Sequence, residues 1–161
     1  MHVSKPEANG LSMLQMKAKS LKRYFIDTNL IVRFITGQPE DQAKIAAQFL
    51  QKSDRGEVVI YINPIVVAEV VFVLTGKVYG YNKDTVVEAL IGFLDNPAFI
   101  VQELESLQTA LDLFAKHNVD FVDAYIGASA KMSRASVATF DQDFKKFRDI
   151  RSLNLKAKKS K

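Results

Sequence analysis

Six acidic residues stand where apolar runs of this sequence end or are interrupted, and their types and spacing make them the first candidates for chemistry. Asp27 closes the run Tyr24-Phe25-Ile26, and Asp141 closes Val137-Ala138-Thr139-Phe140, with Asp143 two residues further on. Glu69 is the single charge between Ile65 and Leu74. A carboxylate buried there without a partner would cost several kcal/mol. Asp120 and Asp123 precede the small-residue stretch Ala124 to Ala130. Their spacing of three puts both near one face of a first helical turn, where the helix dipole favours negative charge. Carboxylates gathered at one edge raise one another's pKa or hold a hard divalent cation, and Mg2+ or Mn2+ is the expected ion. Such an ion polarises a phosphoryl oxygen and activates a water, a chemistry suited to phosphodiester hydrolysis.

Each acid also has a plainer reading. Asp27 and Asp141 can cap helices after strands. Asp120 can form a capping box with Asp123, Glu69 can sit on a solvated stripe or meet a lysine, and Asp143 can be a solvated or capping acid.

Composition removes the competing chemistries. The 161 residues include no Cys and two His, His2 and His117. Disulfides, thiolate zinc sites, cysteine nucleophiles and multi-histidine metal sites are therefore excluded. No run of about 18 apolar residues is present, so the chain is expected to work in the cytoplasm without a membrane. The net charge of +4 is a sum of unlike parts. Residues 1–23 and 152–161 are strongly basic, whereas the intervening body is net acidic. Basic ends suit a phosphate-rich partner, while the acidic body holds the candidate site.

The elements that must position these acids alternate between strand and helix. Arg23 to Asp27 reads as a buried strand, and Thr28 or Asn29 as the cap of a short helix through Phe34. A helix from Pro39 to Arg55 follows, then a β-branched strand over 57–62. Asn63-Pro64 is an N-cap followed by proline at the first helical position of a helix running to Val78. Asn82 or Asp84 opens the next helix. Phe99-Ile100-Val101 is a third strand, and helices over 106–116 and 121–134 follow. Residues 136–140 form a fourth strand, and Ile150 falls in a fifth. This order predicts an α/β fold with a largely parallel sheet. In such a sheet, acids at the carboxyl ends of strands lie on the reactive edge.

Four segments in order resemble the PIN-domain ribonucleases, and in particular the VapC-type toxins of toxin–antitoxin pairs. They are Phe25-Ile26-Asp27-Thr28-Asn29, Asn63 to Val70 around Glu69, Asp120 to Ile126, and Ala138 to Phe144. The resemblance covers roughly Tyr24 to Leu155. It implies a PIN-like, Rossmann-like three-layer sandwich with a mostly parallel central sheet of four or five strands, the first and fourth being neighbours. It also implies that Asp27, Glu69, Asp123 and Asp141 are the catalytic, metal-binding acids, supported by Asn29, Asp120, Thr139 and Asp143. Gly127 departs from the pattern, since the family more often has Ala there.

The implied activity is Mg2+- or Mn2+-dependent cleavage of RNA by a toxin held inactive by a cognate antitoxin. A homodimer is expected through helices near Glu69, with Val70, Val73 and Leu74 as candidate contacts. The alternative is a non-catalytic PIN-like module binding RNA or protein. A phosphoacceptor domain is disfavoured because Gln102 and Glu103 follow the third strand. A phosphatase with an Asp nucleophile two residues before a second Asp is disfavoured by Asn29. The expected domain is 23–155, preceded by a disordered extension or leader over 1–22 and followed by a basic tail over 156–161.

Overall fold

The β-branched run Val58–Ile62 becomes the middle strand, β2, of a parallel three-stranded sheet in the computed structural model, which describes residues 21–155. Its neighbours are β1 (Lys22–Phe25) and β3 (Phe99–Val101), in the order β1-β2-β3. Tyr24 pairs with Ile60, and Ile60 with Phe99, so one face of the sheet is apolar across all three strands. Ile60 and Ile62 are fully buried in it. The extension expected over 1–22 lies outside the described residues except for Leu21 and Lys22, and Lys22 already belongs to β1. The basic tail over 156–161 also lies outside them.

Two helices fill each crossover. Between β1 and β2 run α1 (Thr28–Thr36) and α2 (Glu40–Asp54); between β2 and β3 run α3 (Pro64–Thr75) and α4 (Lys83–Leu94). Asp27, rather than Thr28 or Asn29, caps α1, and Gly37 at φ 69° ends it in the left-handed conformation that glycine adopts without strain. Asn63 and Asn82 cap α3 and α4 through side-chain oxygens, with Pro64 at the first position of α3. The helix α3 stops at Thr75, one turn short of the expected Val78, where Gly76 leaves helical geometry at ψ 176°. Aromatic pairs seat these helices on the sheet: Tyr24 against Phe49 of α2 and Phe99 against Phe93 of α4, both at 5.2 Å between ring centroids.

From β3 the chain enters α5 (Leu104–Lys116) and α6 (Phe121–Met132), then β4 (Val137–Thr139), a 3-10 turn over Asp143–Lys146 and β5 (Ser152–Asn154). Here the structure departs from the expected single sheet of four or five strands. Among the described residues β4 pairs in parallel with β5 in a separate two-stranded sheet, and β1 and β4 are not hydrogen-bonded neighbours. The α/β class and the parallel strands stand, while strand pairing does not bring Asp27 and Asp141 together. Ile150 precedes β5 and is buried in the core with Phe144 and Phe147. This C-terminal unit is anchored on α6 rather than on the ladder of β1.

Gly127 explains that anchorage and its own departure from the family pattern. A Cβ at this position would stand 3.0 Å from Ile150 Cδ1 and 3.3 Å from the Phe147 ring. Absence of a side chain lets the C-terminal apolar residues lie directly on α6. We predict that Gly127→Val, whose branched side chain has no space there, destabilises the fold by about 1–3 kcal/mol. Thermal melting should show a drop of several degrees, and an unchanged melt would refute the close-packing argument.

Candidate active site

The turn that ends β1 sets the first acids. Asp27 is exposed, and its Oδ1 accepts the Leu30 N–H at 2.9 Å, which fixes the carboxylate at the start of α1. Thr28 is buried, and its hydroxyl donates to Oε2 of Glu69 at 2.6 Å across the gap between α1 and α3. Glu69 itself is exposed, so the expected cost of a buried carboxylate does not arise. It lies on the outer side of α3 with Ile65 and Phe72, while Val67, Val70, Val71 and Leu74 turn to the core. Asn29, expected to support the acids, instead lines a groove between α1 and α2 with Arg33, Gln42 and Phe49.

The second group forms around the start of α6. Asp120 occupies the N-cap position, yet its side chain makes no capping hydrogen bond, which removes its plainer reading. Asp123 is half-buried one turn on. Its carboxyl is held above the usual carboxylate range, first by burial and then by the negative charges of Asp141, Asp120 and Asp143. The turn after β4 arranges those neighbours. Thr139 Oγ1 accepts the Asp141 N–H at 2.9 Å, and Asp141 Oδ1 accepts the Asp143 N–H at 2.8 Å. Asp143 also meets Lys146 at 2.8 Å, so of the acids in this group it carries its own counter-charge.

The expected acids therefore stand as two groups. One joins Asp27 to Glu69 through Thr28, and the other couples Asp123 with Asp120, Asp141 and Asp143. Among the described residues no three acidic or histidine side chains come close enough to hold one ion. The physical reason is topological: with β4 hydrogen-bonded to β5, no ladder draws Asp141 to Asp27. The donor set nonetheless suits a hard divalent cation. Its atoms are carboxylate oxygens, Asp123 carries an excess of neighbouring negative charge, and among the described residues none of Asp27, Glu69, Asp123 and Asp141 forms a salt bridge.

Several participants escaped the sequence reading. Thr28 was legible only as a cap, although its place beside Asp27 at a strand end is the signal that it faces the same edge. Asn154 donates to the Asp141 carbonyl at 3.3 Å, a contact across 13 residues with no local signal. Lys146 fixes Asp143 and also donates to the Asn118 carbonyl at 2.7 Å, while Lys83 donates to the Val119 carbonyl at 2.9 Å. These two lysines hold the turn that leads into Asp120. Tyr125, one residue pair beyond Asp123, donates to Oε2 of Glu103 at 2.7 Å. Burial, then that hydrogen bond, pushes its hydroxyl up to about 12, so it remains a neutral donor.

Between α3 and α6 runs a trough in two parts. One part, of about 430 Å³, is lined by Phe72, Thr75, Asp120 and Asp123. The other, of about 610 Å³, is lined by Asn63, Gln102, Glu103 and Tyr125. Ala68 and Val122 belong to both walls.

The chain is similar to the VapC ribonuclease of Aquifex aeolicus (strain VF5), with 25% identity over 122 residues that span 75% of this chain and 89% of that protein. The PIN domain model matches residues 24–150, a stretch running from β1 to the end of the core-forming segment and holding every acid discussed above, so the chain belongs to the PIN domain family.

Proposed function

We propose that this protein is a Mg2+- or Mn2+-dependent endoribonuclease, the toxin of a type II toxin–antitoxin pair, working in the cytoplasm. The observation that carries this reading is the Asp123 carboxyl, pressed by three other carboxylates at the mouth of a trough that can receive a substrate. Family membership and the resemblance to a VapC ribonuclease support it. The described helices include none long and apolar enough to cross a membrane.

Asp27, Glu69, Asp123 and Asp141 would hold the ion once the two groups draw closer together than they stand here. Bound there, it would supply Lewis-acid polarisation of a phosphoryl oxygen and an activated water. The chain's own contribution is orientation. The Leu30 amide holds one oxygen of Asp27, the Thr28 hydroxyl one oxygen of Glu69, and the Asp143 amide one oxygen of Asp141. Each carboxylate keeps its other oxygen for the ion. Asp120, Thr139 and Asp143 support the set, Thr139 by fixing the turn of Asp141. Asn29 keeps only an indirect part, at the start of α1.

Exposed Lys131, Arg134, Lys145, Lys146, Arg148 and Arg151 flank β4 and β5. These cations would add sequence-independent attraction to RNA phosphates that weakens as salt rises. A second copy of the chain would meet the far end of α3. Val70 and Leu74 are fully buried, so they belong to the core rather than to a dimer surface, whereas Phe72 is 77% and Val78 89% exposed. Phe72→Ser combined with Val78→Ser should convert the dimer to monomer in analytical ultracentrifugation; a dimer that persists would place the contact elsewhere. The cognate antitoxin is the remaining partner.

RNA cleavage should stop in EDTA, return with Mg2+ or Mn2+, and fall at least a hundredfold in Asp27→Asn and Glu69→Gln, as expected when a ligand that positions and charges such a site is lost. Wild-type cleavage rates in both variants would instead favour a non-catalytic RNA- or protein-binding module. A further outcome follows from the raised Asp123 carboxyl. A folded-state pKa above the unfolded value means that the native state binds more protons within that window, so stability declines as pH rises through it. At neutral pH the ionised carboxylate is a burden on the fold. Asp123→Asn, melted in EDTA at pH 7, should therefore be slightly more stable than wild type while losing cleavage. A lower melting temperature would contradict the charge argument.

A further inference from the structure

The larger part of the trough between α3 and α6 holds polar groups that the proposed hydrolysis does not use. Glu103 stands at φ 53°, a left-handed conformation that is strained for a residue with a side chain, at the very start of α5. Its Oε2 accepts the Tyr125 hydroxyl at 2.7 Å, and among the described residues its Oε1 has no hydrogen-bond partner. The Gln102 amide is likewise unpartnered among the described residues. Asn63 uses its Oδ1 to cap α3, accepting the Ile65 N–H at 2.9 Å, and so turns its amide nitrogen to donation. The sides are Val122 and the half-buried Tyr125, surfaces on which a planar ring can pack.

We propose that this part of the trough binds one nucleobase of the RNA, next to the phosphate being cut, and selects bases that carry an exocyclic amine. The assignment rests on the ribonuclease reading and sharpens it. Continuity through Ala68 and Val122 places the pocket directly beside the part of the trough lined by Asp120 and Asp123. A volume of about 610 Å³ accommodates a base with its ribose. The groups within it decide which base. A carboxylate only accepts, so Glu103 favours an edge that donates. Guanine offers its ring N–H and amine side by side, and cytosine and adenine offer one amine each. Uracil presents a single N–H between two carbonyl oxygens, which the Glu103 carboxylate repels. The Gln102 amide, able to donate and accept, can serve the neighbouring carbonyl or ring nitrogen. Because Tyr125 holds one carboxylate oxygen, the other is presented in a defined direction at little entropic cost.

Cleavage of a pool of randomised short RNAs in Mg2+, followed by sequencing of the new ends, tests the assignment. Wild type, Glu103→Gln, Gln102→Ala and the site variant Asp123→Asn would be compared, with circular dichroism melts verifying that each is folded. The wild type should show guanine, then cytosine or adenine, enriched over uracil at one fixed position beside the cut. Glu103→Gln, which swaps an acceptor-only group for an amide at the same place, should reduce that enrichment roughly tenfold while its cuts still require metal. Gln102→Ala should weaken it less. Identical enrichment in all cleaving proteins would overturn the assignment, as it would if the trough held a protein partner instead. A uracil preference at that position would overturn it equally. No metal-dependent cutting by the wild type would overturn the ribonuclease reading, and this one with it, and is distinguishable from the other outcomes at once.

Discussion

Repulsion among carboxylates at the start of α6 is the constraint around which the rest of the molecule is arranged. Asp120, Asp141 and Asp143 all act on Asp123, and among the described residues one lysine, Lys146, meets them, at Asp143. Charge of one sign collected in a half-buried place opposes folding, so the stabilising energy must come from elsewhere. It comes from an apolar core that runs through Ile31, Ile60, Val70, Leu90, Leu107 and Leu111. It also comes from two lysines that bind the backbone of the turn before α6. Lys83 reaches over the Phe114 ring at 4.1 Å to the carbonyls of the turn before α6, and Lys146 reaches the same turn from the other side. These contacts steady the backbone, and of the four acids only Asp143 gains a counter-charge from them.

A second consequence concerns how the C-terminal unit is held. With β4 paired only to β5, the turn that carries Asp141 owes its place to packing on α6, where Gly127 admits Phe147 and Ile150. The T-shaped contact of His117 with Phe147, at 5.4 Å, ties the same unit to the end of α5. Asp123 and Asp141 are thus mounted on one rigid body, α6 with the segment lying on it, and their mutual charge follows from that. Asp27 and Glu69 are mounted on another, formed by β1, α1 and α3, and the Thr28–Glu69 hydrogen bond is its internal brace. No shared ladder joins the two groups, and among the described residues they stand apart.

What could be read in the sequence follows this division. Local chemistry was legible: Asn63 with Pro64 announces α3, Asn82 announces α4, and the acids at the ends of apolar runs emerge near strand ends and helix starts as expected. Properties that depend on distant partners were not. Nothing near Val137 says whether its strand will pair with residue 22 or residue 152, since three-residue strands carry too little pattern to fix a neighbour. The stretch around Glu69 carries one charge among apolar residues, and the packing of α1, α4 and α6 against α3 determines which stripe stays exposed. Asp120 has the residue type and position of a cap and does not cap, because cap geometry is a matter of rotamer rather than of sequence. Val70 and Leu74 fell to the core by the same rule: an aliphatic residue on a helix is equally suited to a core or to an interface.

The precision of the site therefore comes from short hydrogen bonds, and its location from the core. Each acid at a turn is aimed by a donor within three residues of it, the Leu30 amide for Asp27 and the Asp143 amide for Asp141. Such contacts form whenever the turn forms, and they cost little, because few torsions must be fixed for each bond made. Glu69 is the exception. Its orienting donor lies 41 residues away in sequence, on a buried threonine that can reach it only when α1 and α3 are packed. The brace is therefore made only once the core has assembled, so the carboxylate of Glu69 is directed only in the fully folded chain. An acid aimed by a distant donor links the integrity of the site to the integrity of the fold, which the locally aimed acids alone would not do.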